Sequence, residues 1–275
     1  MDFLPLEYKL NGKYKIESYA SKTDFSNIYL SSYNNKQYII KECFPSKFVI
    51  RDNNIVFTDR YQKNFKMLKE SFYREANVLK RFNNDNIIKL NEYFEENGTV
   101  YLIMEYFKGR TLKKYILEND VLEKDIVKIF FDILEAIKEI HNKNVIHRDI
   151  KPSNILINGK QKIKIIDFGS SLIDEEKNGT YIKVTDCYSP LEMYSLKAEN
   201  DVRTDIYSLC ALLYFMLNKQ KPMDVLKRFY YPELLYEKEV DELLKQVIFK
   251  GLSINKDERY SSCEELLEEL KKLEI

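Results

Sequence analysis

Two carboxylates, an amide and a lysine are concentrated between His147 and Gly169. His147-Arg148-Asp149-Ile150-Lys151-Pro152-Ser153-Asn154 is followed by apolar Ile155-Leu156-Ile157, a turn, the stretch Lys162 to Ile166, and Asp167-Phe168-Gly169. The short β-branched runs read as strands. Asn158-Gly159 between them is the pair that a two-residue type I′ turn demands, because both central residues need positive φ. Such a hairpin returns Asp167 to the neighbourhood of Asp149 and Asn154. Asn154 and Asp167 offer the hard oxygens that Mg²⁺ prefers when it keeps waters and phosphate oxygens in its shell, while Asp149 is left to accept a proton from a hydroxyl. The chemistry outlined is phosphoryl transfer.

The chain has room for the elements this chemistry needs. At 275 residues it holds about two domain-sized units or a single large two-lobed unit. Basic and acidic side chains balance at 44 each, so no global field draws it to nucleic acid or an anionic membrane. Cys43, Cys187, Cys210 and Cys263 are widely spaced and form no Cys-x-x-Cys pair, which argues against zinc or a disulfide framework and for a reducing cytoplasm. The N-terminus lacks a basic region followed by an apolar core, so no signal peptide is expected. The longest apolar run, around Leu209 to Leu217, is far short of the roughly 20 residues of a membrane span and reads as a buried helix.

Periodicity orders the rest. Tyr14 to Tyr19, Asn27 to Tyr33 and Lys36 to Glu42 read as strands, with Asn34-Asn35 as a tight turn. Phe48 to Arg51 and Ile55 to Phe57 around Asp52-Asn53-Asn54 suggest an extra hairpin of structural purpose. From Tyr61 to Phe82, Phe65, Leu68, Phe72, Ala76, Leu79 and Phe82 form one apolar stripe with Glu75 beside it. Ile87 to Phe94 and Thr99 to Glu105 are strands joined at Asn97-Gly98. Helices follow over Leu112 to Glu118, Lys124 to His141, Asp201 to Leu217, Glu237 to Gly251 and Ser261 to Leu273, the last with a Ser261/Glu264 capping box. Polar, aperiodic Ser170 to Glu192 reads as a loop. His141, at a helix end, reads as a cap for that end.

The segment around Asp149 resembles the catalytic and metal-binding loops of the protein kinase superfamily, matching His-Arg-Asp-x-Lys-x-x-Asn and Asp-Phe-Gly at every fixed position. The resemblance extends from about Tyr14 to Leu273, and Lys151 with Thr185 is similar to the serine/threonine branch, of bacterial type. It implies an α+β, two-lobed protein kinase-like fold. A small antiparallel β lobe with one main helix spans about 1–105, a hinge about 105–109, and a larger, mostly helical lobe about 110–275, with ATP in the crevice. Asp149 would accept or orient the substrate hydroxyl proton, Lys151 would stabilise the transferring phosphoryl group, and Asn154 and Asp167 would hold Mg²⁺. Lys41 paired with Glu75 would position the α- and β-phosphates.

The same resemblance brings Ser21, Thr23, Ser26 and Ile28 to the phosphate loop, where the family has glycines that let backbone N–H groups approach phosphate. No glycine stands in Ser21 to Ile28, so hydroxyls would have to take that role. Ile39, Met104 and Leu156 would line the adenine pocket, and the backbones of Glu105 and Phe107 would bond adenine. Ser189-Pro190-Leu191-Glu192 is similar to the Ala-Pro-Glu that closes the activation segment, its glutamate to be anchored by Arg259. Arg148 would receive a phosphate on Thr180 or Tyr181, with Thr185 a third regulatory candidate. Asp205 would hold the catalytic-loop backbone, and His147 would pack beneath Phe168. ATP and a protein substrate are the partners implied, without nucleic acid or membrane segment. A pseudokinase binding module, motivated by the glycine-free loop and Ile39, and a small-molecule kinase of the aminoglycoside type are the competing readings.

Overall fold

The structure, a computed structural model, describes residues 2–173 and 183–273. Thr180 and Tyr181 lie outside the described residues. The chain divides into two compact units, residues 1–83 with 88–107, and residues 84–87 with 108–275.

The first unit is an antiparallel sheet. Its strands are β1 (Lys9–Leu10), β2 (Tyr14–Lys22), β3 (Ser26–Tyr33) and β4 (Lys36–Cys43). After a separate hairpin of β5 (Ile50–Asp52) and β6 (Ile55–Phe57) come helix α1 (Gln62–Leu79), β7 (Leu90–Glu96) and β8 (Thr99–Glu105). The order across the sheet is β1-β2-β3-β4-β8-β7. Three two-residue turns set its hairpins: Asn34-Asn35, Asn53-Asn54 and Asn97-Gly98, with φ from 45° to 75° at all six residues. Asparagine visits this left-handed region more readily than other residues with a Cβ, and glycine does so freely, so two asparagine pairs and one Asn-Gly pair fix the registers Tyr33↔Lys36, Asp52↔Ile55 and Glu96↔Thr99. Leu10, Ile16, Tyr29, Ile40, Tyr101 and Ile103 make the core of one sheet face. α1 lays Phe72, Ala76 and Leu79 inward and packs on β8.

The β5–β6 insert is fastened to the sheet through charge. Glu42, fully buried on β4, accepts from Arg51 Nη2 at 2.6 Å and Tyr101 OH at 2.8 Å on Oε1, and from Tyr29 OH at 2.6 Å and Asn27 Nδ2 at 3.1 Å on Oε2. The Arg51 guanidinium also lies 5.0 Å from the Phe44 ring centroid. Val56 N donates to Asn97 O at 2.8 Å, so close to the β7–β8 turn that a Cβ on Gly98 would meet Val56 O at 2.5 Å.

The second unit contains β9 (Arg110–Thr111), α2 (Leu112–Glu118), α3 (Glu123–Asn142), β10 (Val145–Ile146), β11 (Ile155–Ile157), β12 (Ile163–Ile165) and β13 (Leu172–Ile173). It continues with α4 (Val202–Asn218), α5 (Val225–Arg228), α6 (Glu242–Gly251) and α7 (Cys263–Leu270). Every residue of α4 from Thr204 to Asn218 is buried, which accounts for the apolar run there. α3 buries the stripe from Ile126 to Ile140. No helix among the described residues is long and apolar enough to cross a membrane.

Several expectations are corrected. The β11–β12 connection is no two-residue type I′ turn. Gln161 N bonds Asn158 O at 3.0 Å, Gln161 takes φ 59°, and Asn158 Oδ1 accepts from Lys160 N and Lys162 N, so the asparagine side chain builds a longer turn. The last helix is capped one residue later than expected. Ser262 Oγ accepts from Glu265 N, while the Glu265 carboxylate turns back to Ser261 N and Oγ, a register that buries Cys263, Leu266, Leu267 and Leu270. α6 begins at Glu242 because Asp241 caps it, accepting from Leu243 N at 2.8 Å. β7 begins at Leu90, and the segment read as wholly loop contains β13 and a 3₁₀ turn over Leu191–Tyr194. The two-residue strands β1 and β9 are too short to show periodicity.

Candidate active site

The catalytic segment hangs from a buried aspartate. Asp205, fully buried in the first turn of α4, accepts from the backbone N–H of His147 on Oδ2 and of Arg148 on Oδ1, both at 2.8 Å. His141 Nε2 bonds the same Oδ2 at 2.8 Å, and its Nδ1 lies 3.5 Å from Cys263 Sγ. His141 is therefore a member of the anchor and not simply a cap for α3. Burial would raise the Asp205 carboxyl, but the hydrogen bonds and charge from His141, followed by His147, hold it below its ordinary range. The pull of Asp205 allows Arg148 to take φ 62°, an unfavourable backbone for a long side chain.

From this anchor Asp149 projects with four side chains around its carboxylate. Lys151 Nζ lies 2.7 Å from Oδ1 and 2.9 Å from Oδ2, Thr185 Oγ1 donates to Oδ1 at 2.9 Å, Asn154 Nδ2 donates to Oδ2 at 3.1 Å, and Lys183 Nζ lies 3.2 Å from Oδ2. Burial would raise the Asp149 carboxyl; Lys183 first and Lys151 next outweigh it and keep it below the usual carboxylate range. Lys151 Nζ also donates to Thr185 Oγ1 at 3.2 Å. Tyr188 N and Ser189 N both bond Thr185 O at 3.0 Å, and Thr185 N bonds Ser189 Oγ at 2.8 Å, so a tight turn holds that threonine. Thr185 thus stands at the Asp149 carboxylate, with its hydroxyl bonded to Asp149 and Lys151.

Asn154 and Asp167 share a short path. Ile166 N donates to Asn154 O at 2.9 Å, which starts Asp167 beside Asn154. Asn154 Nδ2 is doubly engaged, by Asp149 O at 3.0 Å and Asp149 Oδ2, so the amide oxygen is turned away from Asp149. Asp167 adopts φ 67° and takes a long bond from Gly169 N at 3.4 Å. An amide oxygen and a carboxylate are a donor set suited to Mg²⁺ and too few for a protein-only cage. In keeping with that, no cluster of three or more His, Cys, Asp or Glu able to hold a metal occurs among the described residues. His147 is fully buried with its ring 4.9 Å from Phe168; desolvation lowers its pKa, and its Nδ1 accepts from Asp149 N at 3.2 Å. It supports Phe168 as expected.

Glu192 and Arg259 form a two-pronged pair, Nη1 to Oε1 at 2.7 Å and Nη2 to Oε2 at 3.1 Å, with the arginine side chain fully buried. Thr204 Oγ1 adds a bond to Glu192 Oε1 at 3.1 Å, fixing the end of the segment that carries Thr185 to the first turn of α4.

In the first unit, Lys41 Nζ meets both oxygens of Glu75, at 2.7 and 2.8 Å, and Glu75 is buried. Alternation along β4 turns Ile40 and Glu42 to one face and Lys41 to the other, where α1 carries Glu75. Ile28 is the cross-strand partner of Lys41 and of Ser21, and Ile39 that of Met104. The β2–β3 loop is closed by its own side chains. Thr23 Oγ1 accepts from Ser26 N at 3.0 Å and Phe25 N at 3.3 Å and lies 2.8 Å from Ser26 Oγ, so both hydroxyls are committed within the loop. Asp24 is exposed and 3.8 Å from Lys47 Nζ. Glu105 N bonds Lys89 O at 3.0 Å, and its carboxylate accepts from Lys89 N at 2.9 Å. Leu156, on β11 in the second unit, is half-buried and pairs with Lys164 and Thr111.

Lys183 and His141 are the site residues that sequence reasoning missed. A lysine in an aperiodic polar stretch looks solvated, and the long range of the His141–Asp205 bond leaves no local signal.

A small antiparallel unit with one helix and a helical unit holding an Asp–Lys–Asn–Thr cluster define a protein kinase-like class of protein. The model of the protein kinase domain matches residues 51–273, and the chain belongs to that family. It is 31% identical over 220 residues to the serine/threonine-protein kinase cds1 of Schizosaccharomyces pombe, covering 73% of this chain and 48% of that protein. A probable serine/threonine-protein kinase, PknB, of Lactococcus lactis is 30% identical over 211 residues, covering 71% of this chain and 33% of that one. The chain thus spans less than half the length of these curated relatives. Among solved structures, the apo form of PpkA-294 superposes with a TM-score of 0.86 at 25% identity, covering 98% of this chain and all of that one.

Proposed function

We propose that this chain is a serine/threonine protein kinase that transfers the γ-phosphoryl group of ATP to a protein hydroxyl. The observation that carries the reading is the Asp149 carboxylate, held by Lys151 and Thr185 on one side and Asn154 on the other. Asp149 orients the acceptor hydroxyl and takes its proton, Lys151 faces the charge that builds on the phosphoryl oxygens, and Thr185 keeps the two in register. Asn154 and Asp167 would hold Mg²⁺, which when bound supplies charge neutralisation at the phosphates. Lys41, oriented by Glu75, grips the α- and β-phosphates. Met104 and Ile39 of the first unit face adenine, with the backbones of Glu105 and Phe107 reading it. The Glu105 N–H is already spent on Lys89, so its carbonyl does that reading.

Arg148 is the site for a regulatory phosphate on Thr180 or Tyr181. A cytoplasmic setting is supported by four free cysteines, of which burial pushes the Cys43 and Cys210 thiols up to about 12, where they are unreactive.

The side-chain-locked β2–β3 loop favours a second reading, a binding module with no transfer. One experiment separates the two. Purified protein with Mg²⁺, radiolabelled ATP and a generic protein acceptor should label serine or threonine, and Asp149→Asn should lower the rate about 10²-fold or more. An ATP-dependent thermal shift without labelling would favour the binding module, and the absence of both signals would overturn the kinase reading.

A further inference from the structure

The anchor of the catalytic loop continues past Asp205 to a thiol. With Ser262 as its cap, α7 opens on Cys263, and that register turns the side chain inward against the last turn of α3, where His141 stands. Cys263 is 1% exposed, and its Sγ lies 3.5 Å from His141 Nδ1. His141 Nε2 lies 2.8 Å from Asp205 Oδ2, and Asp205 accepts the N–H groups of His147 and Arg148, the two residues before Asp149. Thiol, imidazole, carboxylate and loop backbone thus form one buried chain, built from α7, α3 and α4 within the second unit.

One order of donors and acceptors satisfies every member of it. Asp205 is fully buried, yet the bonds and charge around it hold its carboxyl below the ordinary range, so it is ionised and only accepts. His141 therefore has to present an N–H from Nε2. Which ring nitrogen of a histidine carries the proton is set by the bond that the other nitrogen makes. Burial first, then the charges of Asp205 and Glu264, push the Cys263 thiol well above its ordinary range, so Cys263 brings an S–H to Nδ1. A thiol that donates leaves Nδ1 bare and keeps the proton on Nε2. Without that donor Nδ1 is a buried acceptor with no bond, and the tautomer that relieves it sets a bare Nε2 against the carboxylate, two acceptors 2.8 Å apart.

We propose that Cys263 is a positioning residue: its thiol donates to His141 Nδ1, keeps the imidazole proton on Nε2, and through Asp205 fixes the backbone from which Asp149 projects. The inference rests on the phosphoryl-transfer reading above and adds a residue of the last helix to it.

The test reads the ring and the rate separately. His141 and His147 are the two histidines of the chain, so labelling histidine with ¹⁵N isolates two imidazoles by nuclear magnetic resonance. In the unaltered chain the His141 ring should carry one proton, on Nε2. Cys263→Ala should move the Nδ1 resonance of that ring and lower kcat about tenfold with KM for ATP unchanged, a part of the roughly 10²-fold that a misplacement of about 1 Å costs. Cys263→Ser keeps a donor in place, and should hold the resonance and retain kcat within about threefold. Packing alone predicts the opposite order, because a methyl suits apolar surroundings better than a hydroxyl. With transfer intact, serine no better than alanine in kcat, or a proton found on Nδ1 of His141 in the unaltered chain, overturns the role of Cys263 alone. The spectrum of the unaltered chain needs no substitution, so it decides where the proton sits even if Cys263→Ala fails to fold. Absence of transfer from the unaltered chain overturns the kinase reading, and the role of Cys263 with it.

Discussion

Removing the Arg51 guanidinium should unfold the first unit far more readily than removing a surface charge. Arg51 and Glu42 have side chains 2% and 0% exposed and meet at 2.6 Å. In Arg51→Met the Glu42 carboxylate keeps Tyr101, Tyr29 and Asn27 as neutral donors but loses the one cation bonded to it among the described residues. Methionine retains much of the packing on Phe44, so the change removes the charge together with the Arg51 Nη1 bond to Asn54 O at 2.9 Å. Stranding one member of a buried pair costs about 3–5 kcal/mol, whereas an exposed pair is worth about 0–1 kcal/mol. Three retained hydrogen bonds place the expectation near the lower end, about 3 kcal/mol. Glu42→Gln in the Arg51→Met background removes the stranded charge and should recover about half of the loss, a coupling that a double-mutant cycle reads directly. Urea unfolding followed by far-ultraviolet circular dichroism and tyrosine emission suits a chain with 21 tyrosines and no tryptophan. A loss under about 1 kcal/mol for Arg51→Met, or a double variant no better than the single, would refute the reasoning.

Other perturbations test separate regions of the structure. Gly98→Ala has to hold φ near +75° and place a methyl 2.5 Å from Val56 O, and should destabilise the first unit by about 2 kcal/mol in the same urea assay. Asp205→Asn puts an amide N–H₂ against donors from His147, Arg148 or His141; it should cost about 3 kcal/mol in the second unit and lower kcat with little change in ATP affinity. Asp201, bonded by Arg203 and Lys256, has its carboxyl lowered to about 2 despite burial. Its folded pKa lies below the unfolded 3.8, so its contribution is present above pH 3.8 and is lost as pH falls through about 2. With partial exposure screening the charges, Asp201→Asn should lessen that acid loss by about 1 kcal/mol, as read by urea midpoints between pH 4 and 2. Thr23→Gly with Ser26→Gly frees the Phe25 and Ser26 amides from the Thr23 hydroxyl and should lower KM for ATP about threefold; an unchanged or higher KM would show that the closed loop does not limit nucleotide contact.

What could be read from the chain in advance was whatever is written locally. Paired asparagines at Asn34-Asn35 and Asn53-Asn54 specify left-handed turns by their own conformational preference, and the α3 stripe specifies a buried face by its spacing. The ends of the Lys41–Glu75 and Glu192–Arg259 pairs were found because each lies in a motif of its own. Where two local solutions compete, sequence could not choose. Ser261-Ser262 and Glu264-Glu265 both satisfy a capping pattern, and only the burial of Cys263, Leu266 and Leu267 selects the second. Asn158-Gly159 favours a two-residue turn, but the Asn158 side chain captures Lys160 N and Lys162 N and lengthens it. The Glu42–Arg51 pair, the His141–Asp205 bond and the Lys183 contact join residues through tertiary packing, and no periodicity announces them.

The β2–β3 loop and the Lys41–Glu75 pair have to be weighed together. A glycine-rich loop offers backbone N–H groups to phosphate but must be ordered when the ligand arrives, and glycine loses the most conformational freedom on ordering. Here Thr23 and Ser26 have ordered the tip beforehand, at the expense of two N–H groups that bond Thr23 Oγ1 in place of a phosphate. On the kinase reading proposed above, phosphate recognition in this unit would therefore fall on the ammonium of Lys41. Its position is overdetermined: both Glu75 oxygens hold it, the next residue of β4 is Glu42, and Glu42 is fixed by four donors, one of them from the insert. The insert and the glycine-free loop then have a common consequence. A strand made rigid at Glu42 keeps a single cation in place where a more mobile loop would have spread the same task over several amides.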